Sequence, residues 1–344
     1  MKKAYIVLAH KAPRQLARLI RALEDGSSRF FIHLDRSCDA GAYKHALAGQ
    51  DHWQLLKAED GGWGKCGIVK ATLNGLKSIE DCGDSFDVIH LVSGQDYPIR
   101  SNFYADLFFE RNQGKIFLEF FPLPADVWPE GGMDRIYEYH FGDRRRRSRV
   151  NASRWITRFC NTVFLKRRFP AGLVPYGGWQ WWSMPMPVVS EILRFVERRP
   201  NFLLYHRHSL LPDEMFFQTI LLNSESDSIR KNLVNNCLRF VDWDNPNPST
   251  PATLTAEYFD ALIDSKSLFA RKFDPVRDDA ILDKLDAFRA EEERVLLKQQ
   301  SDGAIEIELN RSADAPRSPA WPGTKINLLD SPLLCEAGGV AKSV

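Results

Sequence analysis

The sequence predicts an α/β fold, a mixed sheet flanked by helices, and three observations carry that expectation. Residues 4–9 are apolar throughout, as in a strand buried on both faces of a sheet. The first hundred residues alternate strand-like and helical segments. The chain has 344 residues, 44% apolar and 26% charged, enough for one large or two small globular domains.

The elements follow in order. After the strand over 4–9, the spacing of Leu16, Leu19, Ile20 and Leu23 predicts a helix over 13–23, with Pro13 in its first turn. Residues 30–34 are aromatic and β-branched and form a second strand ending at Asp35. A helix over 67–79 precedes a third strand over 86–93, and 115–121 is a further strand candidate. From 122 to 178 the pattern loosens and basic residues cluster. Helices are expected over 188–196 and 213–222, then a strand over 238–243. A short helix over 255–262 has Thr253 or Thr255 as its cap. Ile281, Leu282, Leu285 and Phe288 predict a helix over 278–299. Beyond 301 no periodicity is sustained, so residues 301–344 read as a flexible tail to a single domain over 1–300.

Composition excludes several functions. Lys+Arg number 46 and Asp+Glu 45, a net charge of +1, which argues against a globally cationic nucleic-acid binder. No apolar run reaches the roughly 20 residues that span a bilayer. The first apolar run is closed by His10-Lys11 and is too short for a secretion signal. The six cysteines are scattered without a C-x-x-C pair, so reduced thiols in a cytoplasmic setting are expected. Dinucleotide, P-loop, nucleophile-elbow and H-E-x-x-H motifs are missing from the sequence. His206 and His208 alternate as in an ordinary exposed segment.

In a doubly wound sheet, ligands bind beyond the carboxyl ends of the strands, which gathers His10, Asp35 and the loop 93–98 near one crevice. Five further segments bear chemistry. Pro212 sets up a helix start with Asp213 and Glu214 in its first turn. Such acids offset the helix dipole, and a carboxylate held there stays ionised, as a general base requires. Arg271-Lys272 sit between apolar residues, either as a solvated pair or as a clamp on a diphosphate. Trp179, Trp181 and Trp182 follow Gly177-Gly178, either as core or as a sugar-stacking platform. Gly61 to Gly67, with Trp63 and Gly64 inside, reads as a phosphate- or base-contacting loop or as a tight turn. Asp242 and Asp244 form a D-x-D pattern, which holds a divalent cation in some enzymes and arises often by chance.

Residues 144–168 contain ten Arg or Lys and no Asp or Glu. Trp155, Phe159 and Val163 fall on one face of a basic amphipathic helix, the pattern of a helix lying on an anionic membrane. A solvated face, or a positive wall for an anionic substrate, fits as well.

Taken in sequence, Leu8-Ala9-His10-Lys11, Ile32-His33-Leu34-Asp35, Gly62-Trp63-Gly64, Ser93-Gly94-Gln95-Asp96-Tyr97-Pro98-Ile99, Gln180-Trp181-Trp182-Ser183, Pro212-Asp213-Glu214-Met215-Phe216-Phe217-Gln218-Thr219 and Phe269-Ala270-Arg271-Lys272-Phe273-Asp274 resemble the core-2/I-branching enzyme family, which includes the peptide O-xylosyltransferases. The resemblance runs from about residue 3 to 290. It implies a GT-A-like, Rossmann-related fold and inverting transfer of a sugar, GlcNAc or xylose, from a UDP-sugar to a glycan or related hydroxyl, with no essential metal or other cofactor. The nucleotide-binding half would be about 1–120, and the acceptor and catalytic half about 121–300. By motif position Glu214 matches the catalytic base, and Arg271 and Lys272 match the cations on the UDP diphosphate. His10, Asp35, Trp63 and Gly64 fall at the donor end. Asp96, Glu119, Gln180, Trp181, Trp182 and Asp213 are expected around the acceptor or sugar. Gln180 stands where the xylosyltransferases carry an acid, a departure from their pattern. Animal members are membrane-anchored and disulfide-bonded; this chain reads as a bacterial-type member without the anchor, cytoplasmic or peripheral on the inner membrane face. Expected partners are the donor, a glycan acceptor that is free or lipid-linked, and an anionic membrane, with no nucleic acid. The competing reading is a non-catalytic membrane-surface or polyanion-binding protein acting through 144–168.

Overall fold

The computed structural model describes residues 1–62, 64–141, 152–163, 166–244 and 250–301. Trp63, parts of the basic segment and the tail after 301 lie outside the described residues. The strands in chain order are β1 (Lys3–Ala9), β2 (Arg29–Leu34), β3 (Trp53–Leu55), β4 (Val88–Ser93), β5 (Asp96–Pro98) and β6 (Ile116–Leu118). They continue as β7 (Phe121–Pro122), β8 (Tyr176–Gly177), β9 (Trp182–Met184), β10 (Leu233–Asn235), β11 (Arg239–Val241) and β12 (Phe269–Arg271).

The main sheet has seven strands in the order β10-β6-β9-β4-β1-β2-β3. β4, β1, β2 and β3 run parallel, while β9 runs antiparallel between β4 and β6. The expected class, a mixed α/β sheet flanked by helices, is the observed one. β1 explains why. Tyr5, Val7 and Ala9 join a core with Leu16, Leu19 and Ile20 of the helix Pro13–Leu23 and Ile281 and Leu285 of the helix Ala280–Ser301. Ala4 and Ile6 point the other way, into a core with Val69 and Leu76 of the helix Gly67–Asp81 and Ile192 of the helix Met186–Arg198. A strand covered on both faces has to be apolar at every position, which is what residues 4–9 show.

A second sheet of three strands, β11-β12-β5, flanks the first. β12 lies parallel to β11 and antiparallel to β5, with Arg271 opposite Asp96. β11 falls within the strand expected over 238–243, while β5 and β12, three residues each, carry no strand signal of their own.

Three expectations are corrected here. The helix over 213–222 is two elements: a 3₁₀ turn at Pro212–Glu214 and an α-helix at Phe216–Leu222, separated by Met215 at φ −136°. Leu211, at φ 46°, turns the chain left-handed into Pro212, and the extended φ of Met215 is what breaks the helix. Thr255 occupies the cap position of a 3₁₀ turn, Ala256–Tyr258, but makes no capping hydrogen bond. His206 is fully buried rather than exposed, ringed by Phe169, Phe202, Tyr205 and Phe216.

Candidate active site

The parallel strands deliver their carboxyl ends to one edge of the main sheet. β1 leads into His10, β2 into Asp35, β4 into Ser93–Asp96 and β6 into Glu119. Because β9 is antiparallel, it begins at that same edge, so Gln180 and Trp181 precede it there. β12 pairs with β5 beside this edge and ends in Arg271-Lys272. The topology therefore collects most of the sequence-predicted residues on one side of the molecule.

Arg271 is held from below and behind. Its Nε lies 3.1 Å from Asp96 Oδ1, and its guanidinium rests 4.6 Å over the Trp181 ring. Asp96 is fully buried, and its second oxygen accepts the Ser93 N–H at 3.1 Å. Burial pushes its pKa up, while Arg271 and Arg239 pull it down. Asp96 thus positions Arg271 and presents no surface of its own to a ligand. Downstream, the Phe273 N–H bonds Gln95 O at 2.9 Å, and Gln15 and Gln95 both donate to Phe273 O. Lys11 Nζ pairs with Asp274 at 2.8 Å, and that hydrogen bond holds the Asp274 carboxyl below its ordinary value.

His10 stands among the same cations. Desolvation, with Lys11, Arg271 and Lys272 adding positive charge, pushes its pKa down, against a pull from Asp35 in the other direction. Asp35 uses its own oxygens to hold the neighbouring loop: Oδ2 accepts the Gly61 N–H at 2.9 Å, and Oδ1 accepts the Ser37 N–H and hydroxyl. Burial acts to raise its pKa, yet these donors outweigh burial and hold it below the ordinary value.

On the other flank, Glu214 Oε2 meets Arg135 Nη1 at 2.6 Å. The Arg135 guanidinium lies 3.6 Å over the Trp128 ring. The Glu214 carbonyl accepts the Gly178 N–H at 2.9 Å. That approach needs glycine: a Cβ on Gly178 would sit 1.9 Å from Glu119 O. Gly64, at φ +76°, accepts the Leu211 N–H at 3.2 Å and so ties the glycine loop to the Pro212–Glu214 turn. A cavity of about 290 Å³ opens beside Gly64, with Arg36, Lys70 and Arg207 on its wall.

Asp213 departs from expectation. It is 5% exposed, its Oδ1 has no hydrogen-bond partner, and burial together with the charge of Glu214 pushes its pKa up to about 7, against Arg135. A buried 3₁₀ turn lacks the solvent and the aligned amides of a helix N-terminus, so this acid favours its neutral form.

The tryptophans are mostly core. Trp182 is fully buried against Phe217, and Trp179 packs edge-on to Trp243. Trp181, also buried, serves as the floor under Arg271, so no exposed three-ring platform forms. Gln180 is half-buried, and its Nε2 has no hydrogen-bond partner. Asp242 spends its oxygens on the Tyr258 hydroxyl and the Asp244 N–H. Among the described residues, no three His, Cys, Asp or Glu side chains gather as metal ligands.

Three residues of this site were not singled out from the sequence. Arg135 and Trp128 lie in the loosely patterned stretch, 79 residues before Glu214 in the case of Arg135. Arg239 is fully buried in β11, where it donates to Leu91 O at 2.8 Å. An arginine inside the apolar run 238–241 was its only signal.

The chain is 24% identical to xylosyltransferase 2 of Rattus norvegicus over 313 residues, covering 82% of this chain and 33% of that protein. It is 24% identical to beta-glucuronosyltransferase GlcAT14B of Arabidopsis thaliana over 300 residues, covering 83% of this chain and 65% of that one. The chain therefore spans less than two thirds of the length of these curated relatives. A crystal structure of mouse xyloside xylosyltransferase 1, apo form, aligns with a TM-score of 0.34 at 12% identity, covering 78% of this chain and 97% of that one. Residues 3–263 match the profile of the Core-2/I-Branching enzyme family. On that match the chain belongs to the core-2/I-branching enzyme family.

Proposed function

We propose that the chain is an inverting glycosyltransferase that moves a sugar from a UDP-sugar to a hydroxyl of a glycan or related acceptor without an essential metal. Glu214 takes the proton of the acceptor hydroxyl as its oxygen attacks the anomeric carbon. The bond from that carbon to the diphosphate oxygen breaks, and its electron pair leaves on UDP. A single displacement inverts the centre and requires one base and no carboxylate nucleophile. Arg271 and Lys272 meet the charge that develops on the diphosphate, work that a bound cation does elsewhere.

One observation carries the reading. The segment from Gly178 to Trp181 joins the two groups: the Gly178 N–H holds the Glu214 backbone, and the Trp181 ring supports Arg271. Glu214, through its backbone, and Arg271, through its guanidinium, thus each contact one short, glycine-led segment at the carboxyl edge of the sheet. Asp96 behind Arg271 and Arg135 beside Glu214 fix both side chains before any ligand arrives.

The named relatives transfer xylose and glucuronic acid, so UDP-xylose, UDP-glucuronic acid and UDP-GlcNAc are the donors to try first. A thermal-shift screen with UDP and these donors reads nucleotide binding, since a ligand of the native state raises its melting temperature. A UDP-release assay in EDTA then reads turnover. Stabilisation by UDP and turnover retained in EDTA support the proposal. Indifference to every nucleotide, or activity lost in EDTA and restored by manganese, overturns it.

A further inference from the structure

We propose that the helix Ala152–Val163 is a membrane-surface anchor whose occupant is the face of a bilayer containing anionic lipid. The helix is amphipathic in the inverted sense. It is fastened to the domain by its polar side: Thr157 Oγ1 accepts the Phe141 N–H at 3.1 Å, and Asn161 Oδ1 accepts the Tyr139 N–H at 2.8 Å. Asn161 Nδ2 donates in turn to Tyr139 O and to Glu138. Residues four apart share a helix face, so Thr157 and Asn161 define the docked side.

The opposite side carries the apolar residues and gives them to solvent. Trp155 is 72% exposed, Phe159 62% and Val163 60%, at i, i+4 and i+8, with Ile156 at 49% beside them. An ordinary surface helix turns such a stripe inward, onto the core. Here the core is complete without it, and none of the four belongs to a buried cluster.

Charge identifies what covers the stripe. Residues 144–168 hold ten Arg or Lys and no acid. Of these Arg158, Lys166 and Arg168 are exposed around the helix. Arg167 is not part of this face: it is buried and bonds Glu138 O, His208 O and Tyr205 O, clamping the base of the helix to the domain. A tryptophan and a phenylalanine on one face, rimmed by cations from a stretch that itself holds no acid, match the boundary between headgroups and acyl chains of an anionic leaflet; Glu138 lies on the docked side, against Asn161. No helix among the described residues is long and apolar enough to cross a membrane, so the helix lies on the surface. The loop that fastens it also contributes His140 and Phe141 to the cavity beside Gly64.

The full chain is tested by co-sedimentation with vesicles of phosphatidylcholine alone and of equimolar phosphatidylcholine and phosphatidylglycerol. The wild type is expected to partition onto the anionic vesicles and weakly onto the neutral ones. Trp155→Ser with Phe159→Ser should lower that partition at least about tenfold, since two buried aromatic rings are lost. Arg158→Glu with Lys166→Glu should abolish the preference for anionic lipid. All four side chains are exposed, so unchanged circular dichroism and melting confirm that the variants fold. Equal sedimentation of wild type and the Trp155→Ser, Phe159→Ser variant overturns the proposal. So does an absence of vesicle binding combined with a concentration-dependent dimer that this double variant dissolves, which would assign the stripe to a second copy of the chain. None of these readouts involves sugar transfer, so they stand or fall apart from the glycosyltransferase reading.

Discussion

Arg135 and Glu214 form an ion pair of 2.6 Å, with the arginine sandwiched between the carboxylate and the Trp128 ring 3.6 Å from its guanidinium. The arginine is buried while the glutamate is 26% exposed, so the pair faces outward through the acid. Arg135 engages Oε2 alone; Oε1 makes no hydrogen bond among the described residues. The arrangement orients Glu214 through one oxygen and leaves the other open, as the proposed role of a base requires. Glu214→Gln should lower kcat by about 10²–10⁴-fold, the range for loss of a positioned base, with the affinity for UDP within about twofold of wild type. Arg135→Ala should lower kcat less, by about 10–100-fold, through loss of orientation. UDP release and calorimetric titration of UDP measure both. Normal turnover in the Glu214 variant removes that residue from the role.

The Arg271–Asp96 pair makes a different prediction, because Asp96 is fully buried. Arg271→Ala removes a cation from the donor side and strands a buried carboxylate. Breaking such a pair costs about 3–5 kcal/mol of stability. UDP affinity should fall at least about tenfold, as one charged hydrogen bond is worth about 1.5–3 kcal/mol. Adding Asp96→Asn to Arg271→Ala removes the stranded charge. Stability should then recover while UDP affinity stays low. Urea melts and UDP titrations of both single variants and the double variant complete the cycle. Recovery of both quantities together would show that Arg271 acts only through folding.

The sequence carried the frame of this site better than its supports. β1 and the helix Pro13–Leu23 are local patterns, set by apolar spacing and a proline, and they fold where they are written. Glu214 was legible as a motif but not as a conformation. The left-handed Leu211 and the break at Met215 turn an apparent helix start into a buried 3₁₀ turn. Tertiary packing makes that choice, and no local propensity records it. Arg135 and Trp128 were illegible for the same reason: their meaning lies in a contact across 79 residues. His206 was misread because alternation with His208 gives no hint of the aromatic ring that closes around it.

Asp213 gives a stability that depends on pH. Its pKa rises from 3.8 to about 7 in the folded chain, first through burial and then through Glu214. A carboxyl whose folded value is raised binds its proton more tightly in the native state. The stability this contributes is fully present below 3.8 and is lost as the pH climbs toward 7. Asp213→Asn keeps the shape and removes the ionisation. The unfolding free energy of Asp213→Asn relative to wild type should therefore rise as the pH is taken from about 4 to about 7, by an amount on the order of a few kcal/mol, and its melting temperature with it. Parallel melting curves across that range would show that Asp213 stays solvated.

His206 should act with the opposite sign. It is fully buried, neither ring nitrogen has a hydrogen-bond partner, and burial with Arg167 pushes its pKa from 6.5 down to about 3. The folded chain holds it neutral, whereas the unfolded chain protonates it below 6.5. Its contribution is therefore fully present above that value and is lost as the pH falls toward 3. At a pH of about 5 the loss amounts to about 2 kcal/mol, from 1.36 kcal/mol per pH unit over roughly 1.5 units. His206→Phe adds a ring to the existing cluster of Phe169, Phe202, Tyr205 and Phe216 and has nothing to protonate. Its stability relative to wild type should rise as the solution is acidified from about pH 7 to about pH 5, in the direction opposite to Asp213→Asn. Urea unfolding of both variants at the two pH values separates the residues, since a general loosening of the fold would move the two curves the same way.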